Sequence, residues 1–316
     1  MTALGYGSWP SPITSGLLVE DSVGLSDLDV ADGDLVWSEL RPSEQGRQCV
    51  VRWHDGDDPI DLLPAPFSAR SAVHEYGGSA FVVAGDTCWF VNSADQRIWS
   101  VADGAEPVPL TGAVDPARSV RFGDLVIDRG RRALFAVRER HAVMGASGAE
   151  GVVNDLVRIS IDGSTIDVLA SGHDFYAAPR PSPDGRRLVF LAWDNPNMPW
   201  DESALYAIDL DASGEAALIA GDRGESISQP RFSPDGTLHY LSDRSGFTSL
   251  YREDGTAVIE IGADLGGPDW VFGQSSYAFT DESRVVVAVE TARGSTLVHF
   301  DGEARNYIGV QFDVAS

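Results

Sequence analysis

Two short runs invite a chemical reading. His74-Glu75-Tyr76-Gly77-Gly78 opens like the zinc-peptidase pattern His-Glu-x-x-His, in which two imidazoles one helical turn apart hold the metal and the carboxylate acts as base. Its last position is glycine, so the second ligand is missing. Gly273-Gln274-Ser275-Ser276-Tyr277 approaches Gly-x-Ser-x-Gly, the sharp strand-to-helix elbow that lifts a serine hydroxyl toward its base. It ends in tyrosine and lies in a strand pattern. Asp27, Asp29 and Asp32 evoke a calcium loop, but their spacing is not that of an EF-hand, and Asp32-Gly33 reads as a turn. The six histidines are scattered, and His74 with His173 is the pair that could converge at one mouth. Cys49 and Cys88 lack a CxxC partner and read as buried, reduced thiols. The chain has no lysine, so no phosphate-cradling Gly-x-x-x-x-Gly-Lys exists. The expectation is a chain with no catalytic residues of its own, no metal and no cofactor.

The elements that must position these residues announce themselves as a repeat. Ser182-Pro183-Asp184-Gly185 and Ser233-Pro234-Asp235-Gly236 lie about fifty residues apart, each followed by a short apolar strand and then an aromatic strand ending in an acidic turn. Fainter copies lie around Asp32-Gly33, Gly85-Asp86, Asp128 to Gly130 and Asp281-Glu282. Repeats of this length made of four short strands indicate an all-β fold, a β-propeller. Six blades are legible, at about 22–63, 73–110, 121–169, 176–219, 228–261 and 271–312. Residues 1–20 fall outside the repeat and read as an N-terminal arm before a propeller spanning 21–316. A loop rich in glycine and alanine, Val143 to Gly151, interrupts the third blade. A closed ring must pair or cover its last edge, so either the arm completes the ring or the chain stops before a final blade.

Up-and-down connections alternate between the two faces of the ring. The loop before each innermost strand therefore emerges beside the loop between the second and third strands. On that face lie His74, Glu75 and Tyr76 before the second blade, and His173, Asp174 and Tyr176 before the fourth. Asn197, Met198 and Trp200 lie within the fourth, Glu225 before the fifth and Trp270 before the sixth. Methionine, tryptophan, tyrosine and histidine on one rim form a surface suited to docking a partner or contacting a ligand.

Bulk properties exclude several classes. A net charge of −25 leaves nothing to neutralise phosphates, so nucleic acid is not a partner. No run of eighteen apolar residues suggests a membrane span. Met1 to Pro10 has neither the basic segment nor the apolar core of a secretory signal, so a cytoplasmic location is expected.

Four stretches carry a resemblance: Leu62 to Gly78 (LLPAPFSARSAVHEYGG), Ser171 to Trp200 (SGHDFYAAPRPSPDGRRLVFLAWDNPNMPW), Ser242 to Arg252 (SDRSGFTSLYR) and Trp270 to Phe279 (WVFGQSSYAF). They resemble the propeller half of the prolyl oligopeptidase family of serine peptidases, in its acylaminoacyl-peptidase or dipeptidyl-aminopeptidase-like bacterial branch. SPDG alone is common to many propellers; the thirty-residue block from Ser171 is far more specific. The resemblance covers nearly the whole chain. It implies a seven-bladed propeller that caps the active site of a C-terminal α/β-hydrolase domain in the same parent chain and admits only peptides. That domain holds the catalytic triad, and no region of alternating strands and helices stands here to hold one. The resemblance further suggests Glu75 as a carboxylate for a peptide's amino terminus. A free-standing propeller that binds a protein partner is the alternative reading. A propeller enzyme with a tunnel metal is a third.

Overall fold

The computed structural model describes residues 22–141, 151–212, 214–221, 224–281, 284–291, 294–301 and 305–312. The proposed arm, 1–20, and residues 143–150 of the glycine- and alanine-rich loop lie outside them.

Six four-stranded antiparallel sheets follow one another, each a meander in chain order. The first holds β1 (Gly24–Ala31), β2 (Asp34–Arg41), β3 (Arg47–Trp53) and β4 (Ile60–Asp61). The second holds β5 (Phe81–Ala84), β6 (Thr87–Val91), β7 (Ile98–Ala102) and β8 (Val108–Pro109). The third holds β9 (Val120–Asp128), β10 (Ala133–His141), β11 (Val152–Ser160) and β12 (Ile166–Ser171). In the fourth are β13 (Phe175–Pro181), β14 (Arg187–Trp193), β15 (Ala204–Asp209) and β16 (Ala217–Ala220). In the fifth are β17 (Ile227–Phe232), β18 (Leu238–Ser242), β19 (Ser249–Arg252) and β20 (Ala257–Ile259). The sixth comprises β21 (Tyr277–Phe279), β22 (Val285–Thr291), β23 (Gly294–Phe300) and β24 (Arg305–Phe312). These are the blades of a propeller ring. Among the described residues the one helical element is a 3-10 turn, Pro42–Glu44. No helix is long and apolar enough to cross a membrane.

Burial follows position within the blade. The second strands β14 and β18 are buried along nearly their whole length because both of their faces meet neighbouring blades. The outermost strands β8, β12 and β16 are largely exposed. Separate hydrophobic clusters fill the five successive blade interfaces, centred on Phe90, Leu134, Phe190, Tyr240 and Val287. Among the described residues no such cluster joins the sixth blade to the first, and Leu25, Leu28 and Val30 on β1 are exposed. Cys49 and Cys88 are buried free thiols.

SPDG is a turn device. Asp184 Oδ1 accepts from Ser182 Oγ at 2.6 Å and from the Arg186 N–H at 3.0 Å, and Asp235 repeats the pattern with Ser233 and Thr237. The carboxylate thereby ties the turn to its own backbone.

The innermost strands carry a second regularity. In β1, β9, β13 and β17 two residues oppose one on the neighbouring strand, a β-bulge. The first bulge residue is left-handed each time: Asp27, Asp124, Ala178 and Gln229, with φ of 51°, 51°, 51° and 49°. Ser79, just before β5, has φ 42°. Left-handed backbone costs a non-glycine residue about 1–2 kcal/mol, so something must hold it. That something is the adjacent blade. Asp27 Oδ1 accepts the Ser79 N–H at 3.1 Å, Ser79 O the Leu125 N–H at 3.1 Å, Asp124 Oδ2 the Ala178 N–H at 2.6 Å, and Gln229 Oε1 the Ser276 N–H at 2.6 Å. A girdle of hydrogen bonds thus couples blades around the tunnel.

A second coupling joins the loop before the second blade to the loop before the sixth. Phe272 N donates to Gly77 O at 2.8 Å, and Gly78 forms a parallel bridge with Phe272. A Cβ on Gly78 would lie 2.4 Å from Phe272 O, at φ +98°. Both glycines are therefore demanded by backbone approach. The clasp lies outside the ladders: β5 starts only at Phe81 and β21 only at Tyr277.

Replacing Asp124 by alanine strands the Ala178 N–H and removes the partner of Arg180, 3.4 Å away. Asp124→Ala should cost about 3 kcal/mol in urea unfolding. Asp124→Asn, which keeps an acceptor, should cost clearly less. Equal losses would mean that the girdle bond does not carry the effect.

Candidate functional site

The face bearing the loops named above opens into a cavity of about 700 Å³ that runs into the tunnel. Its walls are aromatic. Phe175 begins β13 and Trp193 ends β14; they are register partners, so their rings stack, with centroids 5.4 Å apart. The His74 imidazole meets both rings edge-on, and Phe272 at 5.1 Å. His74 sits on left-handed backbone, φ 53°, its N–H held by Glu139 Oε2 at 2.9 Å. Its Nε2 is buried and has no partner. At the mouth, Trp270 packs on Trp200 at 4.4 Å and meets Tyr76 at 6.2 Å. Tyr76, Trp270 and Met198 are exposed.

Where the cavity reaches the innermost strands it becomes charged. Asp124, Arg180, Gln229 and Arg231, all in or beside the bulges, line it together with Asp269. Gln229 Nε2 donates to Asp269 Oδ1 at 2.9 Å. Burial pushes the Asp269 carboxyl up to about 6.

The remaining sequence candidates serve the rim rather than the cavity. Glu75 is exposed and bound to Arg121 at 2.6 Å, which holds its carboxyl below the usual range; it does not line the cavity. Its carboxylate, that of Glu139 and the His141 imidazole come within 4.8 Å of one another. Arg121, which also reaches Glu139 at 3.1 Å, already supplies that cluster with positive charge. His173 Nδ1 lies 2.8 Å from Asp194 Oδ2, and Asp174 accepts the Asn195 N–H at 3.0 Å; both pairs fasten the loop after β14. Asn197 reaches Glu202 at 3.4 Å within that loop. Glu225 accepts from Ser242 at 2.5 Å and Arg244 at 2.7 Å. Tyr176 is a correction: it is fully buried, because its ring fills the core between the third and fourth blades and its hydroxyl accepts the His173 N–H. Asp27 belongs to the girdle, and Asp32 binds Arg129 and the Gly85 N–H. Among the described residues no serine hydroxyl is bonded to an imidazole, and 273–276 is neither strand nor helix, so no nucleophile elbow forms there.

Sequence reasoning missed Arg180 and Arg231. Their signal was present: Pro179-Arg180 and Pro230-Arg231 each stand just before an SPDG turn, so both arginines occupy one position of the repeat. The proline fills the unpaired bulge position, where a missing N–H costs nothing.

A scan against family models finds no match, and a search of curated proteins finds none either. Solved structures do match. A puromycin-hydrolysing peptidase of Mycobacterium tuberculosis superposes with a TM-score of 0.88 and 30% identity, over 99% of this chain and 50% of that one. The chain resembles one half of these puromycin-hydrolysing peptidases of the prolyl oligopeptidase family. A puromycin hydrolase matches at TM-score 0.85 and 28% identity, over 100% of this chain and 50% of that one. Prolyl oligopeptidase B from Galerina marginata, at 11% identity and TM-score 0.59, shares the fold. The chain thus spans about half the length of the two puromycin-hydrolysing enzymes. What it contains is the family's propeller, without an α/β-hydrolase fold among the described residues.

The buried imidazole has a pH signature. Its pKa is pushed from 6.5 down to about 4 by burial. Below pH 6.5 the unfolded chain takes up a proton that folded His74 refuses, so stability falls with pH until about 4, by about 3 kcal/mol in all. Asp269 acts in the opposite sense: its folded pKa is raised from 3.8 to about 6, so its share is lost as pH rises between those values. His74→Gln should therefore flatten the fall of the urea midpoint between pH 6.5 and 4. An unaltered slope would mean that the imidazole is solvated.

Proposed function

We propose that this chain is the substrate-gating propeller of a serine peptidase, working with an α/β-hydrolase domain of the same parent protein that supplies the triad. The carrying observation is the cavity mouth. A half-buried Trp200 and exposed Trp270, Tyr76 and Met198 ring the opening of a chamber whose walls hold no serine–histidine pair. An apolar rim around a chamber without a nucleophile suits a lid over someone else's nucleophile. Likeness to two puromycin-hydrolysing enzymes over half their length supports the same reading and makes puromycin the first substrate to try on the joined protein. Peptides reach the chamber, and folded proteins do not.

The isolated chain should hydrolyse neither peptides nor puromycin. Activity that follows the pure chain and is abolished by a serine reagent would contradict the assignment. Mixed with its separately expressed hydrolase domain, the propeller should bind it through the rim. Trp270→Ser should weaken that binding by about thirtyfold, the equivalent of about 2 kcal/mol for a buried aromatic anchor. Unchanged affinity in calorimetry would remove the rim from the interface.

A further inference from the structure

The chamber's unmet hydrogen-bonding groups point to the chemistry of what it receives. Each of its carboxylates has a partner: Asp124 the Ala178 N–H and Arg180, Asp269 Gln229, Asp243 the Ser226 N–H, Asp264 the Thr248 N–H and Glu290 Ser295 Oγ, while Gln229 Oε1 accepts the Ser276 N–H. Arg180 also donates to Pro179 O at 2.8 Å. Arg231 differs. Its guanidinium makes no hydrogen bond or ion pair with any described residue, and its Nε is buried without a partner. It lies beside the Tyr277 ring, 5.6 Å from the guanidinium carbon, and in the field of Arg180, Asp29 and Asp269, none of which it hydrogen-bonds. A buried Nε without an acceptor is costly, so the site is not explained by packing alone. The repeat places Arg180 and Arg231 at one position of adjacent blades, so two planar donors face the same space. Beside them stand the stacked Phe175 and Trp193 and the His74 imidazole, whose Nε2 is the chamber's other unpartnered atom.

We propose that Arg231, with Arg180 beside it, receives the free carboxylate of a short peptide or N-acylamino acid whose apolar side chain lies against Phe175, Trp193 and Phe272. Guanidinium and carboxylate match as two parallel charge-assisted hydrogen bonds, which an amide cannot reproduce. The apolar walls strengthen that pair and give it an apolar anchor. The inference rests on reading the cavity as a substrate chamber, and it assigns that chamber a preference for the carboxyl end of its ligand.

Trp193, Trp200 and Trp270 line the cavity, so intrinsic fluorescence reports occupancy. The chain is titrated at neutral pH with N-acetyl-phenylalanine, its uncharged primary amide, and cationic phenylalaninamide. The acid should bind at least about tenfold more tightly than the amide, with the cation weakest. Arg231→Gln should erase the preference for acid over amide, and Arg231→Lys should restore part of it, with far-UV circular dichroism unchanged. Equal binding of acid and amide by the unaltered chain, no saturable binding of the acid, or tightest binding of the cation would each overturn the proposal. Because these titrations need no second domain, their failure leaves the docking of a hydrolase untouched, and failure of docking leaves carboxylate binding standing.

Discussion

The structure depends on a bulge that recurs in the innermost strand of successive blades. A flat inner strand would present only its alternate side chains to the tunnel. At Asp27, Asp124 and Gln229 the bulge puts the residue into left-handed backbone and aims its side-chain acceptor sideways, at an N–H of the next blade. Blade packing by hydrophobic clusters is nondirectional; the girdle makes it directional and fixes the angle between sheets. Asp27 and Asp124 tolerate left-handed backbone better than most residues. Ala178 and Gln229 are each followed by a proline, whose missing N–H suits the unpaired second bulge position.

Site geometry follows from the same constraint. Once the bulge has placed Ala178 and Gln229, the next-but-one residues, Arg180 and Arg231, return to the ladder and line the tunnel cavity. The clasp between Gly77-Gly78 and Phe272 carries His74 against the aromatic wall. There the imidazole is neutral and acts as part of the apolar lining, while the cavity's two arginines stand on the innermost strands β13 and β17.

Much of this was legible in the sequence. The spacing of the SPDG turns gives the blade period, and alternation of loops gives one rim for His74, Tyr76, Met198, Trp200 and Trp270. Other parts were not. Tyr176 stands next to rim residues but points inward, since the first residue pair of a strand alternates between faces, and one position decides whether a tyrosine is rim or core. Glu75 looked like a free carboxylate because its partner, Arg121, is forty-six residues away. The arginine pair was hidden for a different reason: Pro-Arg before a turn has no chemistry until the bulge directs it inward. The two glycines after Tyr76 signalled a constrained backbone, but the reason for Gly77 is the Ser71 carbonyl and that for Gly78 is Phe272, nearly two hundred residues on.

The central claim is that this propeller is a lid whose chamber faces a hydrolase nucleophile. A structure of the chain joined to its hydrolase domain tests it most directly. The account requires the hydrolase to sit on the rim formed by Tyr76, Trp200 and Trp270, with the catalytic serine opening into the chamber. A hydrolase seated on any other surface, or a serine that faces solvent, would contradict it.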